Sequence, residues 1–407
     1  MRIAVIGGGA AGFFAAIAAA ETPGTNVVLY EATAHLLAKV KVSGGGRCNV
    51  THACYEPKIL VTHYPRGSRE LLGPFHRFGP TETFAWFNRR GVELKTEDDG
   101  RVFPITDSSE TISSCLQDAA RRAGVSVKVR CGVNSMLQSS AGFDLNLTTG
   151  ELEHFDKVLI ATGGNKSSAG IQIAQQLGHT IIPAVPSLFT FHIDSVLLKG
   201  LEGLAVVKAE AKIKDAKYIT QGPILITHWG LSGPAILKLS SLAARELHEI
   251  DYKFTLLVNW ASSLSLIQIE AALNAQKITH PKRQITTGNP FSLPARLWER
   301  LCLHANIGDK VQWAGVSKAL LQNLTQLIGS SSFSVTGKSM NKEEFVTCGG
   351  VKLSEIDFST MQSRICPNLY FAGEVLDIDG VTGGFNFQAA WTTGWHGGRA
   401  MSESQLT

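Results

Sequence analysis

The chain has 407 residues, more than one hydrophobic core usually accommodates, so two or three domains are expected. Hydrophobic residues at 44% and charged residues at 18% exclude a disordered chain, and a net charge of +4 suits an anionic cofactor while falling short of a dedicated nucleic-acid-binding protein. Seven cysteines with no C-x-x-C pair and twelve histidines with no metal-ligand spacing exclude a disulfide framework and a zinc site, and point to a reduced, metal-free, cytoplasmic protein.

The first thirty-one residues read as strand, glycine turn, helix, strand and acid. Ile3, Val5 and Ile6 belong to a short apolar run of the kind that forms a central parallel strand. In the turn, Gly7 makes the bend, Gly9 lets a pyrophosphate approach the backbone, and Gly12 lets the helix pack on the strand. The helix N-terminus then faces the phosphates. Glu31, nineteen positions after Gly12, ends the next strand, where a carboxylate accepts from a ribose diol and repels a 2′-phosphate. A secretory leader is the competing reading of residues 3–20, but only Arg2 charges its start and four glycines interrupt it. No other apolar run is long enough to span a bilayer.

A connection over 32–41 leads into SGGGRCN at 43–49, whose glycines offer main-chain N–H groups while Arg47 adds a fork of donors. Cys48, following that arginine, is a candidate for a lowered thiol pKa. Arg66, Arg69, Arg77, Arg89 and Arg90 concentrate positive charge and read as a solvated face. A helix is expected from Pro80 to Arg90, a hairpin turn at Asp98-Asp99-Gly100, and a helix from Asp107 or Ser108 to Gly124 with Asp107 and Glu110 as a capping box. Val125, Val127, Val129 and Cys131 alternate as a half-buried strand. The run 156–164, DKVLIATGG, returns to the buried parallel sheet, and a helix near Gly170 to Leu177 follows.

From about Pro186 the pattern is β-rich, with Val207, Ala209, Ala211 and Ile213 alternating, and Tyr252 to Trp260 likewise. Between them Gly233 and Pro234 start a helix, and 264–328 are helical in pattern. His228, in THWG, is the one imidazole proposed for proton transfer. The last seventy residues revert to the first domain, with Gly383 and Gly384 preceding a helix near Asn386, and Asp377 and Asp379 as acids or loop caps.

GGGAAG at 7–12, SGGGRCNVT at 43–51, ATGG at 161–164, THWGLSGPAIL at 227–237 and LYFAGEVLDIDGVTGGFNFQAAWTTG at 369–394 together resemble the BaiN/YhiN-like, aminoacetone oxidase-like FAD-dependent oxidoreductases. The resemblance implies an α/β fold, a glutathione-reductase-like FAD-binding Rossmann domain over 1–185 and 341–407, interrupted by a β-rich insert domain over 186–340 with a helical subdomain at about 264–328. It places Gly7, Gly9, Ala10, Ala11 and Gly12 at the FAD pyrophosphate, and Glu31 and Ala32 at the adenosine ribose. Lys39, Ser43, Gly44, Gly45, Gly46, Arg47 and Asn49 would run along the middle of the ligand, with Val133, Ala161, Thr162 and Gly163 beside the nucleotide. Gly373, Glu374 and Asp379 would hold the ribityl end, and Gly383, Gly384, Phe385, Asn386 and Phe387 the flavin ring.

Two departures stand out: Leu37-Ala38 where the family has Gly-Arg, and a short loop after Gly164. The expected activity is flavin-mediated hydride transfer to or from a small organic molecule held between the two domains, by double-bond reduction or amine oxidation. No second G-x-G-x-x-G supports a permanent nicotinamide site, so NAD(P)H is expected only as a transient reductant. The alternatives are reduction of uridine in ribosomal RNA, with the arginines of 66–90 on phosphates, and a non-catalytic flavin-binding regulator.

Overall fold

A computed structural model describes residues 1–164, 168–262, 264–339 and 346–403. The chain divides into two compact units, Met1–Pro186 with Lys342–Thr407, and Ser187–Asn341.

The first unit is built on a seven-stranded sheet. Ser126–Lys128, Asn26–Tyr30, Arg2–Ile6, Lys157–Ile160 and Leu369–Phe371 lie side by side and parallel, and Gln362–Ser363 and Ile356–Asp357 extend one edge antiparallel. Val5 pairs with Leu29 on one side and Leu159 on the other, and all three are fully buried, as both-face burial of a parallel sheet requires. Strand order reverses between Arg2–Ile6 and Lys157–Ile160, which makes the carboxyl ends of these two strands the topological switch point.

The first helix, Ala10–Ala20, is almost entirely buried because the C-terminal helix, Phe385–Ser402, packs along it. Small residues allow the approach: a Cβ at Gly394 would lie 2.4 Å from Ala11 O, and one at Gly398 2.3 Å from Ala15 O. Phe14 fills the adjoining space against Trp86 and Trp391, at ring separations of 4.5 and 4.7 Å.

Local expectations fared unevenly. The strand expected over 125–131 is only Ser126–Lys128, and Val127 is 36% exposed because this strand is the open edge of the sheet. The helix expected from Asp107 or Ser108 to Gly124 runs Ser109–Arg122 and starts at the second alternative, with the Ser108 side chain accepting from Glu110 N at 3.3 Å. Asp107 has φ +51, and its carboxylate is paired with Lys95, so it caps nothing. The connection at 32–41 contains the start of a helix, Ala38–Gly46.

The second unit holds a seven-stranded antiparallel sheet in the order Ser331–Val335, Phe254–Asn259, Ala205–Ile213, Ile219–Thr227, Gly230–Ser232, Thr190–His192, Gly337–Ser339. Helices Leu266–Thr279, Ala295–His304 and Lys318–Gly329 belong to the same unit, whose core includes the fully buried Trp260, Trp298 and Trp313. Val207 does not continue the inward alternation of Ala209 and Ala211. A β-bulge between Val206 and Ala209 inverts the pleat, leaving Val206 buried and Val207 73% exposed.

Candidate cofactor site

Gly7 has φ +116 and donates to Tyr30 O at 2.8 Å, and a Cβ there would lie 2.4 Å from Ala161 O. A Cβ at Gly12 would lie 1.9 Å from Gly7 O. These two glycines let the turn close over the switch point. Gly9 differs: it caps the helix at φ −91, and a Cβ there would meet nothing within 4 Å. The first helical bond runs from Phe13 N to Gly9 O at 3.0 Å, so the N–H groups of Ala10, Ala11 and Gly12 precede it and face the open side of the turn. With the positive end of the helix dipole behind them, these N–H groups are disposed to donate hydrogen bonds to an anion.

The Glu31 carboxylate is oriented by the protein. Oε2 accepts from Gly8 N at 2.9 Å, and Oε1 accepts from Thr33 N and Thr33 Oγ1, each at 2.8 Å. A carboxylate offers about four acceptor directions, so capacity for a ribose hydroxyl remains. Ala32 is exposed next to it, with its Cβ 3.0 Å from where a Cβ on Gly132 would sit. Val133 is buried at the start of the strand Val133–Ser139.

The second glycine cluster is the distorted end of a helix. Ser43 is extended, with ψ 149, and Gly44, Gly45 and Gly46 follow at φ 59, 70 and 84. Consecutive left-handed residues gather their N–H groups into a nest, a device that only glycine adopts without strain. Arg47 lies over the Phe103 ring at 3.9 Å and is paired with Glu97 at 2.6 Å and Asp107 at 3.5 Å. Its charge is therefore neutralised beside the nest. Cys48 is fully buried, and burial pushes its thiol up to about 12, the reverse of the acidification expected from a neighbouring arginine. Asn49, with its amide oxygen toward Gly384, accepts from Gly384 N and donates to Thr51 O, both at 3.0 Å.

Three further segments reach this place. Thr162 and Gly163 leave the strand Lys157–Ile160, and Thr162 Oγ1 lies 3.4 Å from Ser168 Oγ. The expected short loop falls on residues 165–167, outside the described residues. Gly373 donates to Thr393 Oγ1 at 2.9 Å, and a Cβ on it would lie 2.8 Å from the Ala11 side chain. Its neighbour Glu374 is paired with Lys39, so the two residues expected to touch the ligand from different motifs hold each other. Asp379 is fully buried in an ion pair with Arg66, which removes Arg66 from the expected solvated face.

The C-terminal helix begins at Phe385, capped by Gly384 at φ +92, where a Cβ would lie 2.4 Å from Thr51 O. Its first helical bond is Gln388 N to Gly384 O at 3.0 Å, so Phe385, Asn386 and Phe387 present their N–H groups ahead of it. The Asn386 side chain clasps Gly380, accepting from its N at 2.8 Å and donating to its O at 2.9 Å. Phe387 stacks on Trp391, with ring centroids 5.5 Å apart.

Two features of this site carried no signal in the sequence. Phe385 stacks with His63 at 4.2 Å and His52 at 4.7 Å, the two imidazoles lying 6.1 Å from each other in one cluster, and Tyr64 Oη donates to Phe385 O at 2.6 Å. Burial lowers the His52 pKa, Nε2 donates to Asp99 O at 3.1 Å, and Nδ1 is buried with no hydrogen bond among the described residues. Gln388 Oε1 accepts from Thr51 Oγ1 at 2.6 Å and Thr83 Oγ1 at 3.0 Å, and its Nε2 donates to Thr392 at 3.0 Å. The i, i+4 spacing of Gln388 and Thr392 was readable, but not their partners. His228 lies in the second unit, exposed in the turn between Ile219–Thr227 and Gly230–Ser232.

Two helix N-termini, a glycine nest and an oriented carboxylate around the switch point of a doubly wound sheet define a dinucleotide-binding domain. The chain belongs to the HI0933-like family, whose Rossmann-domain model matches residues 1–400. It is 32% identical over 399 residues to a ribosomal RNA dihydrouridine synthase of Escherichia coli strain K12, covering 96% of this chain and 95% of the relative. It is 29% identical over 419 residues to a 3-dehydro-bile acid delta(4,6)-reductase of Clostridium scindens, covering 99% of each. In fold it is similar to a 3-ketosteroid-delta4-(5alpha)-dehydrogenase of Rhodococcus jostii RHA1, with TM-score 0.53, 14% identity, and 99% and 96% of the two chains covered.

Proposed function

We propose that this chain is an FAD-dependent oxidoreductase that reduces a carbon–carbon double bond in a small organic molecule. The observation that carries the reading is the pair of free helix starts, at Ala10 and at Phe385, joined by the nest at Ser43 to Gly46. A long ligand with a diphosphate in its middle and, at one end, a ring that takes up negative charge matches that donor set. Both curated relatives bear names that denote adding hydrogen across a double bond.

Bound there, FAD would supply the hydride transfer. The chain supplies position and charge. Ala10, Ala11 and Gly12 N–H groups hold the diphosphate, and Glu31 fixes the ribose. Phe385, Asn386 and Phe387 N–H groups, with the helix dipole behind them, would stabilise negative charge on a ring held at that helix start. Tyr64 and the two stacked imidazoles hold Phe385, and Asn49 and Gln388 fix the helix start against the nest segment. NAD(P)H serves as the transient reductant.

The test is to reduce the flavin-loaded protein without oxygen and then add candidate acceptors. A steroid with a double bond conjugated to a ketone should reoxidise it and be recovered saturated. Reduction of the oxidised protein by an amine instead would replace double-bond reduction with amine oxidation.

A second reading, with uridine in ribosomal RNA as the acceptor, is favoured by the 32% identity to the Escherichia coli relative. Of the arginines expected on phosphates, Arg66 is paired with Asp379 and Arg90 with Glu21 at 2.6 Å, while Arg69, Arg77 and Arg89 remain exposed. Reoxidation by a ribosomal RNA fragment and not by the ketone would favour this reading.

A further inference from the structure

The first unit contains an open groove of about 820 Å³, and none of its lining residues belongs to the dinucleotide turn, the nest or the start of the C-terminal helix. Arginines dominate its charge: Arg77, Arg89, Arg90 and Arg122 line it. The three acids that also line it are each engaged. Glu21 pairs with Arg90 at 2.6 Å, Asp118 pairs with Arg121 at 2.7 Å, and Glu82 accepts from Gly79 N at 2.8 Å. Arg77, Arg89 and Arg122 are exposed, and none of them is in an ion pair among the described residues.

The groove is also aromatic. Trp86 is buried against Phe14 and Phe87 and carries the Arg90 guanidinium over its ring at 3.8 Å, so the guanidinium is the plane offered at that wall, and half-buried Trp395, backed by Phe78 at 5.1 Å, lines the groove as well. Guanidinium planes and tryptophan faces accept a planar ring by stacking, and unpaired guanidiniums bind phosphate oxygens two at a time. The volume lies within the range of small-ligand sites.

We propose that this groove is a second ligand site, one that takes a free nucleoside phosphate, with its ring on the Arg90 guanidinium and Trp395 and its phosphates on Arg89 and Arg122. The engaged acids along the wall argue for a compact ligand, since a continuous phosphate backbone would run past Glu21, Glu82 and Asp118. The site does not depend on the proposed reaction.

The experiment is equilibrium binding of ADP to the protein carrying its cofactor, comparing wild type with Arg89→Ala/Arg122→Ala, with cofactor content and thermal midpoint confirming that both are folded. Saturable binding that the double variant weakens at least tenfold, with cofactor content unchanged, supports the site. Inorganic phosphate should displace ADP at least tenfold less effectively than AMP, because it lacks the ring. No saturable ADP binding, equal affinity in the variant, or binding confined to RNA oligonucleotides would each overturn the proposal.

Discussion

At the scale of single residues, the three glycines of the first turn separate fold from ligand. Gly7 and Gly12 face backbone at 2.4 and 1.9 Å from an added Cβ, so Gly12→Ala should force the helix off the strand and cost about 1–3 kcal/mol, read as a lower thermal midpoint. Gly9→Ala should leave the midpoint of the cofactor-free protein within about 0.5 kcal/mol of wild type, because its Cβ enters empty space. The same change should weaken cofactor binding at least tenfold, measured by titration, since in the proposed complex a diphosphate would approach through that space. Equal losses of stability in both variants would remove the distinction. These glycines and Glu31 were readable from spacing because the motif's chemistry is local. Arg47 and Cys48 were not. The arginine's partners, Glu97 and Asp107, arrive from far along the chain, and only their arrival shows that its charge is spent and that the neighbouring thiol is merely buried.

At the scale of elements, the C-terminal helix and the loop before it are the segments proposed to hold the ring end of the cofactor. Asp379 is fully buried against Arg66, so Asp379→Ala strands a mostly buried guanidinium and should cost about 3 kcal/mol by chemical denaturation. Replacing both residues by apolar ones of similar size should cost less than the single change, and a greater loss in the double variant would contradict the pair's role. Gly398→Ala places a Cβ 2.3 Å from Ala15 O and should separate the two helices, lowering both midpoint and cofactor content. The existence of this helix was legible from its two leading glycines. Its start, expected near Asn386, falls at Phe385, directly after Gly384, whose place against Thr51 O is a contact between segments distant in sequence. The bulge that turns Val207 outward was illegible for a related reason, since a bulge is decided by pairing with the neighbouring strand.

At the scale of the molecule, three imidazoles in the first unit, those of His52, His179 and His396, are held below their ordinary value of 6.5 chiefly by burial. The unfolded chain therefore binds more protons than the folded one as pH falls below about 6.5. The stability these groups contribute is fully present above that pH and is lost as pH falls through their lowered values. The thermal midpoint should accordingly drop between about pH 7 and pH 5, and a flat or rising midpoint would contradict the assignment. The parallel sheet with its switch point was legible as a whole, because two fully apolar strands ending in glycine turns leave few other placements.

The central claim is that one FAD molecule spans the turn at Gly9, the nest at Gly44 to Gly46 and the helix start at Phe385. The most direct measurement is the visible absorption spectrum of the purified protein, with mass analysis of what it releases on denaturation. The expected result is the two bands of an oxidised flavin and a released mass equal to that of FAD, in a one-to-one ratio with the chain. A colourless protein that takes up no FAD when it is supplied in excess would contradict it.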